Sequence, residues 1–196
     1  TISSRPKIMS RNLSVLHITR NLPPLVGGME LLNASLIDNL SKQHNYTVIG
    51  PSSSKKQFEN CIFRGAPLKP LPVFLVAATV KALISMARSR PDIVFAGSGL
   101  TAPIAVLSAW LFKKKSVVYL HGLDIAFSSP IYNAIWLPFI RSASLVSANS
   151  ESTFSTATNR GIPLEKLTIS HPGVSLPEEP IPSEMETFKQ RYKLNG

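Results

Sequence analysis

A chain of 196 residues, 44% of them hydrophobic, has material for one large or two small domains and an ample core. Its one cysteine, Cys61, excludes an internal disulfide and fits a reducing compartment, and its best apolar run, Val73 to Ile84, is broken by Lys81 and falls short of the roughly 18–20 residues of a membrane span. The formal charge of +10 favours anionic partners (nucleotide diphosphates, acidic membrane surfaces, acidic glycans, nucleic acid) but does not choose between these and a merely solvated basic surface.

Residues 1–12 are polar, basic and without period, and read as a frayed N-terminus; no secretory apolar core follows Arg5, Lys7 and Arg11. Leu13 to Thr19 is short and mostly apolar, as a buried parallel strand should be. Pro23-Pro24 ends regular structure and Gly27-Gly28 turns the chain. Met29, Leu32, Leu36 and Leu40 then mark one apolar face of a helix. Strand, glycine turn and helix together aim free N–H groups and a positive helix end at an anion, often a phosphate. Tyr46 to Gly50 is a second strand, Pro51 to Lys56 a Ser/Lys loop and Cys61 to Phe63 a short strand. Three prolines keep Gly65 to Pro72 extended.

Val73 to Arg90 reads as a helix with a basic end, broken by Pro91. Ile93 to Ala96 is a buried strand, Gly97-Ser98-Gly99 a turn, and Thr101 to Phe112 a helix followed by Lys113-Lys114-Lys115. The strand Ser116 to Leu120 delivers His121-Gly122-Leu123-Asp124 at its carboxyl end. Ile131 to Arg141 is an apolar helix that Pro138 should kink. Ala143 to Ala148 is a strand, Ser150 or Ser152 caps the next helix, and Lys166 to Ser170 is the last strand. His171-Pro172-Gly173-Val174 closes the unit, and residues 175–196 read as an acidic, proline-rich linker leading into a further domain.

Strands alternating with helices predict an α/β fold: one Rossmann-like domain over residues 13–174, with a mainly parallel sheet flanked by helices. Ligands of such sheets bind beyond the carboxyl ends of the strands. Gly27-Gly28, Gly97-Ser98-Gly99, His121 to Asp124, Asn149 to Ser152 and His171 to Gly173 all fall there. The four histidines are scattered without metal-ligand spacing, so no metal is expected. There is no GxSxG nucleophile turn and no GxxxxGK[ST] loop, and Gly97-x-Gly99 lacks the third glycine of a dinucleotide fingerprint. No RNA-binding aromatic signature or basic recognition helix is present, so nucleic acid is not an expected partner.

Pro23-Pro24-x-x-Gly27-Gly28-x-Glu30 after the first strand, His121-Gly122-x-Asp124 after a middle strand, and Pro172-Gly173-Val174 at the domain end carry a resemblance. Pro91-Asp92-Ile93-Val94 and Arg191-x-x-Leu194 extend it. Over roughly residues 13–194 the chain resembles the N-terminal, acceptor-side half of retaining GT-B glycosyltransferases, the large family of bacterial mannosyl-, glucosyl- and N-acetylglucosaminyltransferases. It departs at Ser175, where the family usually has an acid, and at His171, where asparagine is common.

The resemblance implies transfer of a sugar from a nucleotide-diphosphate sugar, as co-substrate, to a glycan or lipid-linked acceptor with retention. It implies a missing C-terminal donor-binding domain as partner, hence little activity for this fragment alone. Gly27 and Gly28 would let the backbone approach the donor's phosphate or sugar; a tight connecting turn is the other reading. His121 becomes the catalytic candidate, orienting and stabilising rather than acting as base. Glu30, Asp124 and Ser98 are candidate acceptor contacts, with a helix-dipole role open for Glu30 and a turn cap for Asp124. His17 reads as core, His44 as a surface turn residue, and His171 is open. Lys69 to Arg90 with Lys113 to Lys115 reads either as a basic-apolar surface for an anionic membrane or as core packing with ordinary lysines. The expected location is cytoplasmic, peripheral on the inner face of the cell membrane, in cell-envelope polysaccharide or lipopolysaccharide assembly. A GT-B-like sugar-nucleotide epimerase and a non-catalytic basic module binding anionic lipid or nucleic acid are the alternatives.

Overall fold

Alternating short apolar runs and helical segments build a parallel sheet of seven strands. The structure, a computed structural model, describes residues 12–127, 129–173 and 191. The strands are β1 (Ser14–Ile18), β2 (Asn45–Pro51), β3 (Ile62–Ala66), β4 (Ile93–Ala96), β5 (Lys115–Leu120), β6 (Leu145–Ala148) and β7 (Leu167–Ile169), in the order β3-β2-β1-β4-β5-β6-β7. The helices are α1 (Gly28–Ser41), α2 (Leu71–Ser89), α3 (Ala102–Leu111), α4 (Gly122–Ala126), α5 (Leu137–Ser142) and α6 (Glu151–Asn159). The expected Rossmann-like α/β architecture is therefore present. The expectations for residues 1–11 and for the linker lie outside the described residues, apart from Arg191. Asn12, assigned above to the frayed end, is tied to β2: its side-chain oxygen accepts the Asn45 N–H at 3.2 Å.

Side-chain alternation along the strands supplies both faces of the sheet. Leu16 and Ile18 join Val94, Ala96, Val118 and Leu120 in one core, packed by Phe74, Ala78, Ala82 and Met86 of α2 and by the alanines of α3. Burying Phe74 and Met86 contributes roughly 1.5–3 kcal/mol each. On the other face Val15 and Val48 pack with Ile37 of α1.

Four elements differ from the sequence expectation, each for a local reason. The buried side of α1 is Glu30, Asn33 and Ile37, not the stripe from Met29 to Leu40, because the loops beneath α1 recruit its polar groups. Residues Ser52–Gln57 wind into a 3-10 turn, and the buried Ser54 hydroxyl donates to the Pro23 carbonyl. α2 starts at Leu71, since Pro72 lies in its first turn, where a missing N–H costs nothing. The bend expected at Pro138 comes earlier, as a π-turn over Tyr132–Trp136, and Pro138 sits in the first turn of α5. Among the described residues α2 is also long and apolar enough to cross a membrane, by length and composition. Reading only the uninterrupted run understated it, because one internal lysine does not end an apolar helix.

Candidate functional site

The strand order reverses between β1 and β4, where a parallel sheet opens a crevice at its carboxyl edge. The turn after β1 leads into α1, the Gly97–Gly99 turn leaves β4, and β5 ends on His121 beside them. The two glycines before α1 have different physical reasons. Gly27, the N-cap, has an extended φ of 164° that any residue adopts. Its constraint is space: a β-carbon there would collide with the Glu30 carboxylate, which accepts from Asn21 Nδ2 at 2.9 Å. A β-carbon on Gly28 meets nothing within 4 Å. No packing therefore requires glycine at position 28; its bare backbone faces open space.

Behind the turn lies a buried polar chain whose proton positions follow from its acceptors. Asn33 Nδ2 donates to the carbonyls of Met29 at 2.8 Å and Gly97 at 3.1 Å, so Asn33 Oδ1 faces His17 Nε2 at 3.1 Å. His17 Nε2 must then carry the proton, and His17 Nδ1 accepts from the Tyr46 hydroxyl at 3.0 Å. Burial lowers the His17 pKa to about 4, opposed by the Asn33 hydrogen bond. His17 is thus a neutral core histidine.

His121 is 5% exposed, and its Nε2 lies 3.2 Å from the Gly97 carbonyl, the acceptor that Asn33 also uses. A carbonyl only accepts, so Nε2–H donates and Nδ1 is the ring's acceptor. His121 and Asp124 form a reciprocal capping box at the start of α4. Asp124 Oδ2 accepts the Gly99 N–H at 2.9 Å and the His121 N–H at 3.4 Å, clamping the β4 and β5 turns together. Burial raises the Asp124 carboxyl above its ordinary value, against those N–H groups and His121. Ser98 is 1% exposed, and its hydroxyl has no hydrogen-bond partner among the described residues.

Above this framework lies an open cleft of ≈ 670 Å³, lined by Gly28, Met29, Leu32, His121, Gly122, Asn149, Thr153 and Pro172 among others. Gly28 and His121 meet there, whereas Gly27, Glu30, Ser98 and Asp124 do not line it. Glu30 and Asp124 instead brace the loops that do. Both α1 and α6 begin at the cleft, so two sets of unpaired N–H groups and two positive helix ends border it. A depression of equal volume at the other end of the sheet, lined by His44, Glu59 and Cys61, has neither helix start nor glycine turn. Among the described residues no group of three or more His, Cys, Asp or Glu is placed to hold a metal ion.

Met29, Leu32, Asn149 and Thr153 were not singled out from the sequence. Asn149 and Thr153 carried a signal, since their stretch falls at a strand's carboxyl end. Met29 and Leu32 read as core because helical periodicity gives a stripe without saying which side is covered. The α4 cap was hidden because histidine stands where a capping box usually has serine or threonine.

The family model described as Glycosyltransferase Family 4 matches residues 26–177, a span that contains the glycine turn, His121 and α6. The chain belongs to glycosyltransferase family 4. No curated protein matches this family 4 domain. Solved structures do. HepE of Anabaena in complex with UDP aligns with a TM-score of 0.71 at 17% identity, over 93% of this chain and 50% of HepE. The apo form of WaaB, a lipopolysaccharide outer core galactosyltransferase, gives 0.58 at 15% identity, over 83% of this chain and 46% of WaaB. A structure titled a UDP-N-acetylglucosamine 2-epimerase, from Listeria monocytogenes, gives 0.57 at 12% identity, over 81% and 44%. The family 4 domain thus has the fold of GT-B neighbours and spans about half the length of each.

Proposed function

We propose that this family 4 domain is the acceptor-side half of an enzyme that moves a sugar from a nucleotide-sugar donor to a glycan or lipid-linked acceptor with retention of configuration. One observation carries the reading: Gly28 and His121 border a single cleft onto which the starts of α1 and α6 open, and nothing packs against position 28. The bare backbone at Gly28 would let a diphosphate or sugar approach the α1 N-terminus, whose N–H groups stabilise the charge that develops as the donor bond breaks. His121, held by Gly97 and the capping box, would orient the sugar. Its protonated Nε2 is already engaged, which suits a front-face displacement in which the leaving phosphate takes the acceptor's hydroxyl proton. No side-chain base and no metal is then required. HepE has been solved with UDP-glucose, which supports a nucleotide-sugar donor.

A second domain, outside this sequence, would hold most of the donor nucleotide. The cytoplasm is the proposed compartment and suits the thiol of Cys61, which burial and Asp38 push up to about 11. The test is a donor screen with the full-length protein, reading which nucleoside diphosphate is released and which product forms. Transfer to an acceptor with retained anomeric configuration is expected, with little turnover by the 196-residue chain alone. An epimerised nucleotide sugar as sole product would favour the epimerase reading, which the Listeria neighbour keeps specific. No turnover with any donor would leave a binding module.

A further inference from the structure

The outward side of α2 is apolar where a solvated helix carries charge. Val73, Val76, Val80 and Ile84 recur at three- and four-residue spacing, share one stripe and are all exposed, Val76 to 65%. The opposite stripe (Phe74, Ala78, Ala82, Met86) is fully buried on the sheet. α2 is therefore apolar on both sides, yet only 28% of its apolar window is buried. A helix apolar all round belongs in a core or in lipid. Its inner stripe is the domain's own core, so α2 cannot leave the sheet to span a bilayer; its outer stripe is the part without a cover. α3 packs beside it and adds Leu111 and Trp110, the indole 74% exposed.

Charge says what the cover is. Between residues 60 and 123 there are eight basic side chains and a single acid, Asp92, whose Oδ2 already accepts the Ser14 N–H at 3.0 Å. Arg88 and Arg90 end α2, and Lys113 and Lys115 follow α3, all four exposed. An apolar stripe rimmed by cations, with an exposed indole at its edge, matches an anionic bilayer interface. Aliphatic side chains enter the acyl boundary, tryptophan settles at headgroup level, and lysine and arginine meet lipid phosphates. A like-charged second copy would instead set these cations against each other.

We infer that the outer stripe of α2, with Trp110 and the surrounding cations, docks the protein on an anionic lipid bilayer. α2 starts after β3, at the carboxyl edge of the sheet where the cleft opens, so docking would bring the cleft toward a lipid-linked acceptor. That last consequence rests on the transferase reading; the docking itself does not.

Co-sedimentation of the full-length protein with phosphatidylglycerol-containing and with pure phosphatidylcholine vesicles tests the inference. Binding is expected to the anionic vesicles and at least about tenfold less to the zwitterionic ones. Val76→Asn combined with Val80→Asn should weaken binding about tenfold or more while leaving Tm unchanged, because both side chains are exposed. Lys113→Gln combined with Lys115→Gln should weaken it roughly 25-fold, at ~5-fold per lysine. Absence of vesicle binding, or binding indifferent to both double variants, overturns the inference. So does a concentration-dependent dimer, formed without lipid, that the α2 variants dissolve. Donor turnover is not used as a readout, so failure here and failure of the transferase reading are separately visible.

Discussion

His17 is a titratable ring inside β1 with both nitrogens committed, one to Tyr46 and one to Asn33. Its folded pKa of about 4 lies below the unfolded value of 6.5, so the native state resists a proton that the unfolded chain accepts. Stability is complete above pH 6.5 and is lost as pH falls from 6.5 toward 4, amounting to about 3 kcal/mol at the acid end. Urea unfolding at pH 7 and pH 5 should differ by about 2 kcal/mol from this group. His17→Gln should flatten that difference, and an unchanged slope would count against a buried neutral ring. At the same scale, adjacent glycines that look identical in sequence separate in space. Gly27 answers to the Glu30 carboxylate, and Gly28 to nothing in the chain itself.

Helix termini decide how the elements meet the cleft. Ser150 caps α6, its hydroxyl accepting the Thr153 N–H at 3.2 Å, while Asn149 Oδ1 takes the Thr153 hydroxyl proton at 2.7 Å. Ser150→Ala should cost about 1 kcal/mol in thermal or urea unfolding, and Ser152→Ala almost nothing. Equal losses would mean that the cap is misassigned. The sequence left that choice between two serines open, and geometry resolves it. Strands were the legible elements: Ile93 to Ala96 is β4 as expected, because a buried parallel strand is an uninterrupted apolar run between breakers. Elements held by specific side-chain bonds were not legible. α4 depends on a histidine–aspartate box, the 3-10 turn on Ser54, and the side of α1 that is buried on the partners found by Glu30 and Asn33.

At the scale of the whole molecule, the site is a consequence of strand order. A sheet that turns back between β1 and β4 leaves an uncovered edge, and the same reversal sets α1 and α6 with their N-termini on one opening. The position of the cleft was therefore readable from alternation alone, through the set of loops at the carboxyl ends. Its inner lining was not, since Glu30, Asp124 and Ser98 are polar residues at the right loops that do not line the cleft. Position 28 discriminates most sharply, because there the chain has no use for glycine and a bound phosphate or sugar would. The decisive measurement is kcat for sugar transfer by the full-length Gly28→Val protein, read beside its Tm. A Tm close to wild type with transfer reduced about 100-fold or more is the expected result. Transfer at the wild-type rate by that folded variant would contradict a ligand seated on the α1 N-terminus.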